Sequence, residues 1–307
     1  MVVDQNGAKI GCNVVMDGGV EVTERGIYIG SAPNPSLTGV KITADSGGEG
    51  NYVIVLENLN EGARYYACGY AVNEMGTAFS DDTDFLYEKP QEGAIGGYFT
   101  INEAGDQVFF SQGNLQFQGS SKTWRFAEHQ YDYCGEDNDN ISAFYSGWID
   151  LFGWGTSGWS SGANCYQPWS TSTTDLDYFP GGSAENCLTG DYANADWGVY
   201  NAISNGGNQA GQWRTLQGIE WKYVFDSRNT VSGVRYAKAT VNGTSGVVLL
   251  PDGWCASTYA FNNANVETAS FNSNIVSATD WETLEQLGAV FFTETQQVVD
   301  QYDPPLC

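Results

Sequence analysis

The stretch Arg64–Val72, RYYACGYAV, decides how the first ninety residues fold. Small and large side chains alternate in it and none recurs at helical spacing, so it reads as a β-strand. With Tyr65, Ala67, Gly69 and Ala71 facing inward, Cys68 faces outward. Similar runs precede it: Ala8, Ile10, Cys12 and Val14 alternate up to a turn at Asp17-Gly18-Gly19, and Glu24–Gly30 (ERGIYIG) and Tyr52–Glu57 (YVIVLE) follow. Between them stand the turn formers Pro33-Asn34-Pro35, Gly47-Gly48 and Asn58–Gly62. Short strands at this spacing predict an all-β sandwich over 1–88.

Beyond it the composition changes. All ten tryptophans lie after residue 120. Glu88-Lys-Pro-Gln-Glu-Gly-Ala-Ile-Gly-Gly97 is polar and Gly-rich, which predicts a linker over 89–97 and a second domain over 98–307. In that domain Gln107–Phe117 reads as two strands across Ser111–Asn114. Trp197, Tyr200 and Ile203 share a helical face that ends at Asn205-Gly-Gly. Trp213–Arg228 predicts a helix with Thr215 as N-cap. Ser277–Gly288 predicts another, with Thr279 and Glu282 as a capping box and Trp281, Leu284 and Leu287 on its apolar face. Arg235–Thr240 and Gly246–Leu250 pair around Asn242-Gly243. This domain is α+β, with a loop-rich middle.

Charge narrows the partners. Twelve Lys and Arg face 37 Asp and Glu, for a formal charge of −25. Such a surface repels phosphate backbones, so no nucleic-acid partner is expected. No apolar run approaches the roughly 18 residues of a membrane-spanning helix, so no membrane insertion is expected within this chain. The start, MVVDQNGAKIGC, lacks a basic region followed by an apolar core, so either the chain is cytosolic or its leader is not within it. The seven cysteines show no Cys-x-x-Cys spacing, and mostly free thiols are expected.

The first domain resembles the fibronectin type III-like modules of bacterial surface proteins. The match runs over Asp17-Gly-Gly-x-x-Val22-Thr-Glu-Arg-Gly26, Leu56-x-Asn-Leu59 and Tyr65-Tyr-x-x-x-Tyr70-Ala-x-Asn73-x-x-Gly76-Thr-Ala. The resemblance puts Tyr65 where such modules pin the corner before the penultimate strand, and it implies a spacer. Cys12 and Cys68 are spaced as in the inter-sheet disulfide of immunoglobulin domains, but their opposite facing argues for free thiols.

In the second domain, Val108-Phe-Phe-Ser-Gln-Gly-Asn-Leu-Gln116, Trp124-Arg-Phe-Ala-Glu-His-Gln-Tyr131, Trp148-Ile-Asp-Leu-Phe-Gly-Trp-Gly-Thr156, Trp213-Arg-Thr-Leu-x-x-x-Glu220-Trp221 and Leu249-Leu-Pro-Asp-Gly-Trp254 stand out. These are similar to a family of Bacteroidetes surface proteins related to the Fibrobacter-type major paralogous domain. Through Arg-x-Leu-x-x-x-Glu-Trp they resemble the formylglycine-generating enzyme superfamily, which implies a C-type-lectin-like fold and a secreted or cell-surface location. The resemblance ends after Phe291, so the domain is expected to be incomplete at its C-terminus, with 292–307 in no sheet and part of the Trp281–Leu287 face exposed.

No enzyme is expected. The reactive cysteines of the formylglycine-generating type belong to the part that follows in that superfamily, Cys255 has no cysteine neighbour, and His129, the only histidine, reads as structural. No cofactor is expected either. Ca²⁺ is the one metal considered, at Glu136, Asp137 and Asp139 in the loop Glu136–Ser142, where hard oxygen donors cluster; a solvated acidic turn is favoured over it. The aromatic loops carry the functional signal. Trp154, Trp159, Tyr166, Trp169 and Tyr178, with Phe179, stand among Gly, Ser and Thr, a composition suited to sugar faces or to a protein partner. The competing reading packs those rings into a loop-rich core. The expectation is a non-enzymatic surface or secreted adhesion protein with a glycan or protein ligand; its alternatives are a structural fimbrial or surface-layer subunit and an inactive oxidase relative.

Overall fold

The computed structural model describes residues 1–4, 7–140, 142–151, 193–194, 196–254 and 259–293. It is rich in β-structure, arranged as several antiparallel sheets. The chain divides into two compact units: Met1–Pro90 with Gly253–Phe261, and Gln91–Asp252 with the chain from Asn262 onward.

The first unit holds β1 (Val2–Asp4), β2 (Gly7–Val14), β3 (Glu24–Gly30), β4 (Val40–Thr43), β5 (Gly50–Glu57), β6 (Ala63–Asn73), β7 (Gly76–Phe79) and β8 (Thr83–Tyr87). One sheet has the order β1-β2-β5. The other runs β4-β3-β6, and β6 then pairs with β7 at its C-terminal end and with β8 at its N-terminal end. Period-two alternation sets the faces: Ile54 and Leu56 are buried, whereas Val53 and Val55 are exposed. The sheets are tied through polar contacts as well as apolar ones. Tyr52 Oη donates to the Gly26 carbonyl at 2.9 Å, and Tyr87 Oη to that of Asp4 at 2.9 Å. Tyr65 Oη accepts from the Asn60 N–H at 2.9 Å, which closes the corner between β5 and β6.

Register places Cys68 with Tyr28 and Gly26 with Tyr70, on the face of β6 opposite Ala67 and Gly69. Cys68 is nevertheless only 2% exposed. Ser80, in the β7–β8 connection, covers it: the thiol donates to the Ser80 carbonyl at 3.2 Å, and Ser80 Oγ accepts from Gly69 N–H. Cys12, Cys68 and Cys134 are in no disulfide.

In the second unit β9 (Phe99–Thr100) pairs with β10 (Gln107–Val108), and β11 (Leu115–Gln118) with β12 (Thr123–Phe126). The two strands read within 107–117 therefore exist but pair with other partners. β13 (Tyr236–Val241), β14 (Thr244–Leu249), β15 (Ile275–Val276) and β16 (Val290–Thr293) form a four-stranded sheet in the order β15-β13-β14-β16, parallel only at β13–β15. Asn242 (φ 46°) and Gly243 (φ 83°) make the two-residue turn from β13 to β14, as the Asn-Gly pair predicts.

The stretch read as a linker, 89–97, is divided, because Gln91–Gly97 belongs to the second unit. Ile95 is buried there and its N–H donates to the Phe110 carbonyl at 2.8 Å. Its glycines serve close packing rather than freedom: a Cβ on Gly97 would lie 2.7 Å from the Gly288 carbonyl oxygen, and one on Gly93 2.4 Å from that of Asn205. At the other end, Phe292 and Thr293 pair with Val247 and Gly246, so the expectation that no sheet takes residues after 291 is corrected for these two. Aromatic packing explains the pairing, since Phe292 meets Phe110 and Trp221 edge-on at 5.7 and 5.5 Å. Trp281 and Leu284 are buried at 1% and 2%, which also corrects the expected exposed helix face. Residues 294–307 lie outside the described residues.

Candidate functional site

The hairpin β11–β12 builds the site. Alternation sends Phe117 and Trp124 into an apolar cluster with Phe126, Ile149 and Ile203. The same alternation turns Gln116 and its cross-strand partner Arg125 to the other face. There the Arg125 guanidinium lies over the indole of half-buried Trp148, 3.8 Å from the ring centroid. Arg125 Nε donates to Gln116 Oε1 at 2.9 Å. Gln116 is buried, and its amide nitrogen donates to the Cys134 sulfur at 3.5 Å. A planar cation is thus clamped by a ring below and an amide behind.

Beside the site, Asp150 and Asn138 are bonded to each other. Asp150 accepts from Cys134 N–H at 2.8 Å and from the Asn138 amide at 2.9 Å, while Asn138 Oδ1 accepts from the N–H groups of Asp150 and Leu151. Burial, and then the nearby Asp150 carboxylate, push the Cys134 thiol up to about 12, so it is a packed, protonated group.

The candidate metal ligands Glu136, Asp137 and Asp139 lie exposed on the 3₁₀ turn Gly135–Asp139. Among the described residues no three His, Cys, Asp or Glu side chains are gathered as a cation would need. The turn is ordered instead by Asn138 on Asp150. The candidate ligand-binding residues Trp154, Trp159, Tyr166, Trp169 and Tyr178, together with Phe179 and Cys255, lie outside the described residues. His129 stacks on Tyr131 with ring centroids 5.1 Å apart.

The Arg-x-Leu-x-x-x-Glu-Trp segment closes on itself. Both Arg214 η-nitrogens donate to Glu220 at 2.7 Å, and Glu220 also accepts from Gln217 N–H at 2.8 Å. Burial raises the Glu220 carboxyl, but these bonds outweigh it and the net shift is downward. The motif therefore fixes a helix start.

A cleft of about 180 Å³ lies between Phe110–Leu115 and β16. Its wall holds Gln130, only 1% exposed, whose amide nitrogen donates to Glu285 at 2.8 Å and whose oxygen accepts from Phe291 N–H. Burial raises the Glu285 carboxyl above the ordinary range. Gln130, Arg125 and Trp148 were not among the sequence candidates. The alternation in Trp124-Arg-Phe126 marks Arg125 as facing away from the apolar cluster, but only the fold brings Trp148 beneath it.

No helix among the described residues is long and apolar enough to cross a membrane. No family model, no curated protein and no solved structure matches this chain.

Proposed function

We propose that this protein is a non-enzymatic binding or adhesion component that works at the cell surface or outside the cell. In this reading the first unit is a fibronectin type III-like spacer and the second a C-type-lectin-like head that meets a glycan or protein ligand. The observation that carries the reading is the aromatic-cation platform of Trp148 and Arg125, a flat half-buried surface at the start of the aromatic-rich stretch 145–179. Flat rings held in place bind with little entropy left to lose, which is how aromatic and arginine anchors dominate recognition surfaces. The sheet order of the first unit and its Tyr65–Asn60 corner support the spacer assignment.

The test is a binding screen of the full chain against glycans and extracellular-matrix proteins. A restricted set of ligands, with retention weakened in Trp148→Ala, supports the reading. Retention of none, with concentration-dependent growth into polymers, would replace it with the structural-subunit reading.

A further inference from the structure

We infer that Arg125 is a receptor for a single carboxylate carried on a sugar, so that the ligand of the proposed binding head is an acidic glycan with an isolated uronic-acid group. This rests on the binding reading above and names its ligand class.

The arginines differ in what holds them. The chain has six. Arg64, Arg214 and Arg228 are neutralised by Asp84, Glu220 and Asp252. Arg25 is buried, with Nε on the Ser46 carbonyl and Nη1 on those of Gly48, Glu49 and Gly50. Arg235 turns its Nε back onto the Phe225 carbonyl and its η-nitrogens also meet no acceptor among the described residues, but no described ring holds its plane. Arg125 is held differently. Its Nε is on a side-chain amide and its plane is on an indole, yet neither η-nitrogen meets an acceptor among the described residues. The nearby carboxylate of Asp150 is already occupied by Cys134 N–H and Asn138.

Fixing Nε and the plane leaves the two η-nitrogens in the fork geometry that matches a carboxylate with two parallel hydrogen bonds. The ordering entropy of a long side chain is already spent in the free protein, so the bidentate pair is gained at low cost. Next to it on the same hairpin face stands the cross-strand pair Gln118 and Thr123; the Gln118 amide is held by the Ser146 carbonyl and the Ser121 hydroxyl, so it is the Thr123 hydroxyl that can meet a sugar hydroxyl.

Charge decides between carriers. At −25, the chain repels any ligand that is acidic along its length. At physiological ionic strength that repulsion is screened beyond about 8 Å, so one carboxylate on a neutral body is tolerated where a run of them is not. This favours a glycan with a single uronate over an acidic peptide.

The experiment is calorimetric titration of the full chain with three probes: a neutral oligosaccharide capped by one glucuronate, the methyl ester of that compound, and a glutamate-rich hexapeptide. The expected result is binding of the free acid about tenfold or more tighter than the ester, the loss of one bidentate charged pair. The ester arm uses the unaltered protein, so it stands even if a variant folds poorly. Arg125→Lys should bind more weakly than wild type, and Arg125→Gln more weakly still, with an unchanged far-ultraviolet circular dichroism spectrum. Equal binding of acid and ester, unaffected by Arg125→Gln, would overturn the carboxylate inference while the binding reading stood. Preference for the hexapeptide would overturn it in favour of an acidic protein ligand. Binding of none of the probes would overturn it too, and the broader ligand screen then decides the binding reading separately.

Discussion

Asp252 receives Arg228 on one carboxylate oxygen, at 2.7 Å, and the Thr100 N–H and hydroxyl on the other, at 2.9 and 2.7 Å. The Arg228 side chain is wholly buried. Burial lowers its pKa and the Asp252 carboxylate works against that. The same guanidinium donates to the Leu250 carbonyl at 2.7 Å, so one ion pair joins β9, the end of β14 and the helix that begins at Gly218.

Asp252→Asn should therefore destabilise the second unit by about 3–5 kcal/mol, because it leaves a buried cation without its counter-charge. Urea unfolding followed by tryptophan emission checks this, since every tryptophan but Trp254 belongs to the second unit. A loss below 1 kcal/mol would mean that water replaces the carboxylate.

Tyr65→Phe should cost the first unit about 1 kcal/mol, the net worth of one hydrogen bond, by leaving the Asn60 N–H without its acceptor. Hydrogen exchange reads it directly: the Asn60 amide should exchange faster in the variant while the Ile54 and Leu56 amides keep their protection.

Glu285 gives a pH signature. Burial raises its carboxyl; Gln130, His129 and Trp281 oppose the rise, and Glu282 adds to it. The folded chain then holds this proton more tightly than the unfolded chain. Its contribution to stability is full below the ordinary carboxylate pKa and is lost as pH rises through the raised value. The stability of wild type relative to Glu285→Gln should therefore fall as pH rises above the ordinary carboxylate pKa of about 4.3. A flat difference would show that the carboxyl titrates alike in both states.

The thiols make a fourth test. Cys134, held up to about 12, should react with a disulfide reagent at pH 8 far more slowly than in the unfolded chain, and Cys68 should be shielded by Ser80. Mass mapping of alkylated peptides should find both reduced, with no Cys12–Cys68 bridge.

How much of this was legible depended on range. Glu24–Gly30 is a strand over the run read from alternation, and Asn242-Gly243 turns where its chemistry requires, because both signals are local. Helix starts were less legible. Thr215 looks like an N-cap, but Asp196 takes both its N–H and its hydroxyl, and Gln217 with Glu220 forms the box instead. Likewise Ser277 accepts from the Asp280 N–H two residues before the expected Thr279. The turn after Trp197 ends at Tyr200 because Ile203 instead bridges Trp124 and Asn205 bonds both backbone groups of Phe126. The glycines of 93–97 look like a hinge until Asn205 and Gly288 are seen against them. Arg125 and Trp148 meet only through the path of the hairpin and the loop that follows it.

In the proposed function the second unit binds its ligand through the Trp148–Arg125 face. The most direct measurement is the dissociation constant of the full chain for the tightest ligand of the screen, set against that of Trp148→Ala. A loss of about tenfold to a hundredfold is expected, the effect of removing an interface anchor, with the unfolding midpoint of the first unit unchanged. An unaltered dissociation constant in a folded Trp148→Ala protein would contradict it.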